Sequence, residues 1–159
     1  GIGQGYALSN PLQLAVMTAR IASNGKKIEP TIFQRTEEKQ FNKISKLENH
    51  IQIIKKAMFK VVNEYQGTAN KSKSSKYYFS GKTGTSQVKR ISVAERESED
   101  FRKKEIAWKN RDHALFVGYM PSEKPKYAIS VIIEHGGSGA STAAPIANQI
   151  FNYVNKNKI

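Results

Sequence analysis

Three features of the 159-residue sequence predict a mixed α/β fold, α+β in arrangement, with helices packed on one antiparallel sheet. Two segments carry apolar residues at spacings of three and four, the period of a helix with one buried face. Two short branched runs flank Pro121-Ser122-Glu123-Lys124-Pro125, a turn signal strong enough to fold them back on each other. The elements follow the order helix, helix, strand, strand, strand, helix, which sets helices against an antiparallel sheet. The length and a hydrophobic content of 38% suit a single domain with one sizeable core.

The first helix starts at Ser9-Asn10-Pro11, where Ser or Asn caps free N–H groups and proline fits the first turn. Its run of Leu12, Leu14, Ala15, Val16, Ala19 and Ile21 is dense enough to predict burial on most sides, and Asn24-Gly25 ends it. Lys27 to Phe33 has short extended character broken by Pro30, and the polar residues 34–43 read as loop. The second helix shows one stripe through Leu47, Ile51, Ile54, Met58, Val61 and Val62, with Lys55, Lys56 and Lys60 on the other side. Residues 63–75 read as loop, and the period then changes at Ser80 to Val88, short-branched and glycine-spaced as in a strand approached closely at its backbone. Lys89 to Asp112 is a charge-dense excursion expected to be mobile. His113 to Tyr119 and Tyr127 to Glu134 then form the predicted hairpin. Glu134 to Gly139 turns into a last helix, with Ser141 or Thr142 as its cap, Pro145 in its first turn and an apolar face of Ala143, Ile146, Ala147, Ile150, Phe151 and Val154.

Composition narrows the function. A formal charge of +13 invites a nucleic-acid reading, but the 26 Lys and Arg residues are spread along the chain without an arginine-rich or aromatic-interleaved stretch, even counting Lys71, Lys73 and Lys76. Nucleic acid is therefore not expected as a partner, whereas attraction to an anionic membrane or wall surface is compatible with the charge. The absence of cysteine excludes disulfides and thiolate metal sites and leaves the compartment open. No apolar run approaches the ~18 residues of a membrane span, and Gly1-Ile2-Gly3-Gln4-Gly5 lacks the features of a signal peptide. An anchor or export signal is expected outside these residues.

One segment has a chemical signature, Lys82-Thr83-Gly84-Thr85. A lysine and two hydroxyls on one strand grip a carboxylate by charge and hydrogen bonds, while a bare glycine between them lets a peptide backbone lie against the strand. Alone, four such residues also recur without function. His50, His113 and His135 lie far apart in sequence with no metal-ligand spacing, so no metal is expected, and His113 reads as a strand start. Glu95, Glu97, Glu99 and Asp100 lie among Arg96, Arg102, Lys103 and Lys104 and read as a solvated ion-pair face. Trp108 reads either as a staple onto the sheet or as a wall of a substrate groove.

The context of the tetrapeptide carries a resemblance. Gly3-Gln4-Gly5 with Asn10-Pro11-Leu12-Gln13-Leu14-Ala15, then Ala57-Met58, Val61-Val62-Asn63 and Gly67-Thr68-Ala69, precede the Lys-Thr-Gly strand in matching order. His113 to Pro121 and Gly136-Gly137 through Ala144-Pro145-Ile146 follow it. Over nearly the whole chain this resembles the class B penicillin-binding proteins, and among them the elongation type that cross-links peptidoglycan during lateral wall growth. The resemblance implies that residues 1–159 are the C-terminal portion of a single transpeptidase domain of the serine β-lactamase-like fold, with acyl transfer through a serine acyl-enzyme and no cofactor.

Site roles follow from the same resemblance. Lys82 supports the electrostatics and proton traffic of the nucleophile, and Thr83 and Thr85 bind the carboxylate of a D-Ala-D-Ala stem peptide or a β-lactam. Gly84 keeps the strand open, and the Thr85 backbone N–H forms half of the oxyanion hole. The family's Ser-x-x-Lys nucleophile and Ser-x-Asn loop are expected upstream of Gly3, outside this chain. Ser23-x-x-Lys26 and Ser86-x-x-Lys89 match the first pattern only by spacing: one sits at a helix end beside Gly25, the other leaves the strand of Lys82. Implied partners are stem peptides, β-lactams and a cell-elongation machinery with a polytopic glycosyltransferase, the catalytic domain facing the periplasm from the cytoplasmic membrane. The family's sheet has five strands, so these residues in isolation are expected to self-associate through unpaired edges. Three rivals share parts of the pattern: a serine β-lactamase, a β-lactam sensor domain, and a basic interaction fragment without chemistry.

Overall fold

The computed structural model describes residues 8–33, 40–44, 47–88 and 106–157. Helix α1 (Pro11–Ala22) begins in a capping box, in which the Asn10 side chain accepts from the Gln13 N–H and the Gln13 side chain accepts from the Asn10 N–H, both at 2.9 Å. It ends where Asn24 and Gly25 take positive φ and the Gly25 N–H donates to Arg20 O at 2.8 Å. Helix α2 (Glu48–Asn63) buries Ile51, Met58 and Val62 along the expected stripe. After a short 3-10 turn at Asn70–Ser72 come strands β1 (Ser80–Ser86), β2 (His113–Met120) and β3 (Tyr127–Ile133), then helix α3 (Ala144–Asn157).

The strands form one antiparallel sheet in the order β1-β2-β3, with Lys82 opposite Val117 and Phe116 opposite Val131. Strand alternation assigns the two faces. Phe116, Val131 and Ala114 point to the layer of α3, where Phe79 meets Phe151 at 5.4 Å and Phe116 at 6.3 Å between ring centroids. Tyr119 and its register partner Ala128 point the other way, onto Ala22 and Ile21 of α1 and Met58 of α2. The sheet is thus covered on both faces.

Three local expectations are corrected. Helix α1 is not buried on most sides: only Thr18 and Ala22 are buried, while Leu12 is 59% exposed. Its sheet-facing side carries these small residues, and its larger ones line an apolar groove of about 590 Å³ with Ile51 and Ile54 of α2. Lys55 does not lie on the side away from the stripe; its ammonium donates to Ala22 O at 3.0 Å and to Asn24 Oδ1 at 2.7 Å, closing the C-terminal end of α1 where a cation is favoured. Burial lowers its pKa. The last helix is capped neither by Ser141 nor by Thr142. Ser138 accepts from the Ala140 N–H, a π-type turn at Gly139–Ala143 follows, and only then does α3 begin. The Thr142 hydroxyl instead donates back to Gly136 O at 2.9 Å.

Of the charged excursion, residues 89–105, with Glu95, Glu97, Glu99 and Asp100, lie outside the described residues; Trp108–Asn110 forms a 3-10 turn before β2. No helix among the described residues is long and apolar enough to cross a membrane.

Candidate active site on the edge strand

Strand β1 lies at the edge of the sheet and, among the described residues, pairs only with β2. Its placement begins with α2: Asn63 Nδ2 donates to Phe59 O and to Phe79 O, both at 2.9 Å, fastening the end of the helix to the residue before β1. The two glycines of the strand have different physical reasons. A Cβ on Gly81 would overlap the Phe116 ring, which lies across Gly81 and its register partner Gly118. A Cβ on Gly84 would meet only Leu115 Cβ, at 3.3 Å, so the backbone there is bare by access rather than by crowding.

Lys82, Thr83, Gly84 and Thr85 therefore stand together on one exposed strand. Lys82 and Thr85 are exposed and Thr83 is half-buried. Lys82 and Gly84 share one face; Thr83 and Thr85 share the other, opposite Phe116 and Ala114. The Lys82 ammonium donates to Thr83 O at 2.6 Å, a short charge-assisted bond along its own strand. The Thr83 hydroxyl lies 2.9 Å from that of Thr68. From the α3 side Gly139 seats directly on the strand pair, because a Cβ there would overlap Gly84 O and Leu115 O.

Sequence reasoning missed a second cluster at the far end of β1. His113 starts β2, as expected, and its Nδ1 accepts from the His135 backbone N–H at 2.9 Å. The two imidazoles lie 4.9 Å apart, and the Trp108 indole lies 4.5 Å from His135. Trp108 thus packs on the turn after β3. The hairpin register was the available signal, since the start of one antiparallel strand meets the end of the next. Among the described residues no group of three or more His, Asp or Glu side chains is placed to hold a metal. Ser23 lies at the α1 terminus, its hydroxyl donating to Arg20 O at 3.2 Å, and Ser86 ends β1 opposite His113, so the structure does not bring either beside Lys82.

Comparison with known proteins agrees with this arrangement. Residues 1–152 match the family model of the penicillin binding protein transpeptidase domain. The peptidoglycan D,D-transpeptidase MrdA of Haemophilus influenzae is 34% identical over 168 residues, which cover 96% of this chain and 25% of that protein. Among solved structures, the penicillin-binding protein PBP2 of Helicobacter pylori in complex with MreC superposes with a TM-score of 0.75 at 30% identity, over 98% of this chain and 26% of that one. Pseudomonas aeruginosa PBP2 in complex with WCK 5153 gives 0.69 at 32%, over 95% and 30%. The chain spans about a quarter of the length of the curated relatives it matches. With the Lys-Thr-Gly-Thr strand at the sheet edge and the helices on both faces, the chain belongs to the penicillin-binding protein transpeptidase domain family.

Proposed function

We propose that these residues form the C-terminal part of a peptidoglycan D,D-transpeptidase domain and supply the wall of its active site that binds the substrate carboxylate. The observation that carries this reading is the exposed edge strand on which Lys82, two threonine hydroxyls and the bare Gly84 backbone occur within four residues. A D-Ala-D-Ala stem lies along such an edge as an added strand, its terminal carboxylate held by Thr83, Thr85 and the charge of Lys82. The Thr85 N–H stabilises the oxyanion, and a serine from upstream of these residues forms the acyl-enzyme. β-Lactams occupy the same place. The four-carbon stem of Lys82 lets its ammonium leave Thr83 O for the serine.

The same reading places the domain in the periplasm on a cytoplasmic-membrane anchor. Its expected partners are a polytopic glycosyltransferase and other parts of the cell-elongation machinery. The H. pylori relative captured with MreC supports an elongation role.

The test is β-lactam labelling followed by intact mass spectrometry. A polypeptide that joins these residues to the upstream Ser-x-x-Lys and Ser-x-Asn segments is expected to label stoichiometrically, and the 159 residues alone are expected not to. Lys82→Ala in the longer protein is expected to lower acylation about a hundredfold or more, since it removes a preorganised charge. Acylation of that variant at the parent rate would refute the role of Lys82, and labelling of the short chain would return Ser23 or Ser86 to candidacy.

A further inference from the structure

Resting on the reading of Thr83 as a carboxylate-binding hydroxyl, we infer that Thr68 is a positioning residue that fixes the direction in which Thr83 presents its hydrogen. The two hydroxyl oxygens are 2.9 Å apart. Each hydroxyl has one hydrogen to give, whereas an ionised carboxylate only accepts. When a carboxylate is bound, Thr83 must donate to it, and the contact with Thr68 persists only with Thr68 as donor. The order is then Thr68 O–H to Thr83 O–H to carboxylate, a chain in which each bond polarises the next.

The loop holds Thr68 ready for this without using its hydroxyl. The Gly67 N–H donates to Glu64 O at 2.9 Å, the Ala69 N–H to Val61 O at 2.9 Å and the Asn70 N–H to Gly67 O at 3.0 Å. A Cβ on Gly67 would overlap Val61 O, so only glycine lets the turn lie this close to α2. Ala69 is 1% exposed and anchors the loop in the core. The exposed Thr68 side chain makes its hydrogen bond, among the described residues, only to Thr83. A rigid turn therefore delivers one hydroxyl to one atom of the site.

The experiment uses the longer, labelling-competent protein with benzylpenicillin and with its methyl ester, which carries no carboxylate charge. Thr68→Val is expected to lower the second-order acylation rate with the free acid about five- to tenfold, the worth of one hydrogen bond in such a chain. The loss is expected in the binding constant rather than in the limiting rate. Thr68→Ser, which keeps the hydroxyl, is expected to stay within about twofold of the parent, and in a Thr83→Val background Thr68→Val should add less than about twofold. With the ester, parent and Thr68→Val should react alike. An equal loss on acid and ester, or no loss on either, overturns the inference while leaving the transpeptidase reading in place. A parent that neither compound acylates overturns both. Thr68→Val with a lowered melting temperature and no rescue by Thr68→Ser assigns the residue to the fold instead.

Discussion

Tyr119, 1% exposed, stands beneath α1 and α2 on the sheet face away from α3. Burial pushes its phenol above the usual range, and a hydrogen bond with Ser80 draws it partly back. Because the folded state prefers the neutral phenol, its stabilising contribution is complete below the free tyrosine value of about 10 and is lost as the pH rises through the higher folded value. Tyr77, whose hydroxyl donates to Asn148 Oδ1 at 2.7 Å, is raised for the same first reason. Lys55 is lowered and has the opposite sign, gaining stability as it deprotonates. Melting temperature is therefore expected to fall as the pH rises above about 10, and Tyr119→Phe should flatten part of that fall. An unchanged pH profile in Tyr119→Phe would remove Tyr119 as its cause. At this scale the sequence made Lys82, Thr83, Gly84 and Thr85 legible, because a charge, two hydroxyls and a glycine in a strand have few structural uses. Thr68 was not legible as a partner, since its contact depends on a loop that no local pattern encodes, and the His113–His135 pair was legible only through the register of the hairpin.

Among elements, β1 shows how two glycines that look alike in sequence differ in consequence. Gly81→Ala pushes a methyl into the Phe116 ring and is expected to cost about 1 to 3 kcal/mol by overpacking. Gly84→Ala meets only Leu115 Cβ, at 3.3 Å, and is expected to cost less than Gly81→Ala, about 1 kcal/mol or below. In the labelling-competent protein it should nevertheless impair β-lactam acylation, because the methyl occupies the approach to the strand. Denaturant unfolding of both variants, beside labelling of Gly84→Ala, decides the pair. Equal destabilisation would mean that the strand is not bare at 84. Helix periods and the proline turn gave the elements themselves correctly, with β2 and β3 ending within a residue of expectation. What periodicity could not give was burial. The density of apolar residues in α1 predicts enclosure, yet a helix can carry that density on a side that lines a groove.

For the whole molecule, two features bear on behaviour in isolation. The groove between α1 and α2 is lined by Leu12, Val16, Met17, Ile21 and Ile54, and β1 and β3 each have one side without a strand among the described residues. Apolar grooves and open edges recruit a second copy, so the 159 residues alone are expected to self-associate. The charge of +13 opposes this at low ionic strength, and added salt should strengthen it by screening. Sedimentation across concentration and salt is the check; a monomer throughout, with no apolar dye binding, would count against it. Fold class was readable from element order, whereas the two-sided cover of the sheet emerged only from the register, which assigns Tyr119 and Phe116 to opposite faces.

Trp108 is the only tryptophan in the sequence, and its indole rests on His135, in the turn that leads to Gly139 and the edge strand. The molecule therefore carries a built-in optical reporter. Its tryptophan emission comes from one indole packed on His135, and it follows the turn that leads to Gly139 without an attached dye. Any rearrangement of β1 that is transmitted through Gly139 has a spectroscopic signature already in the chain.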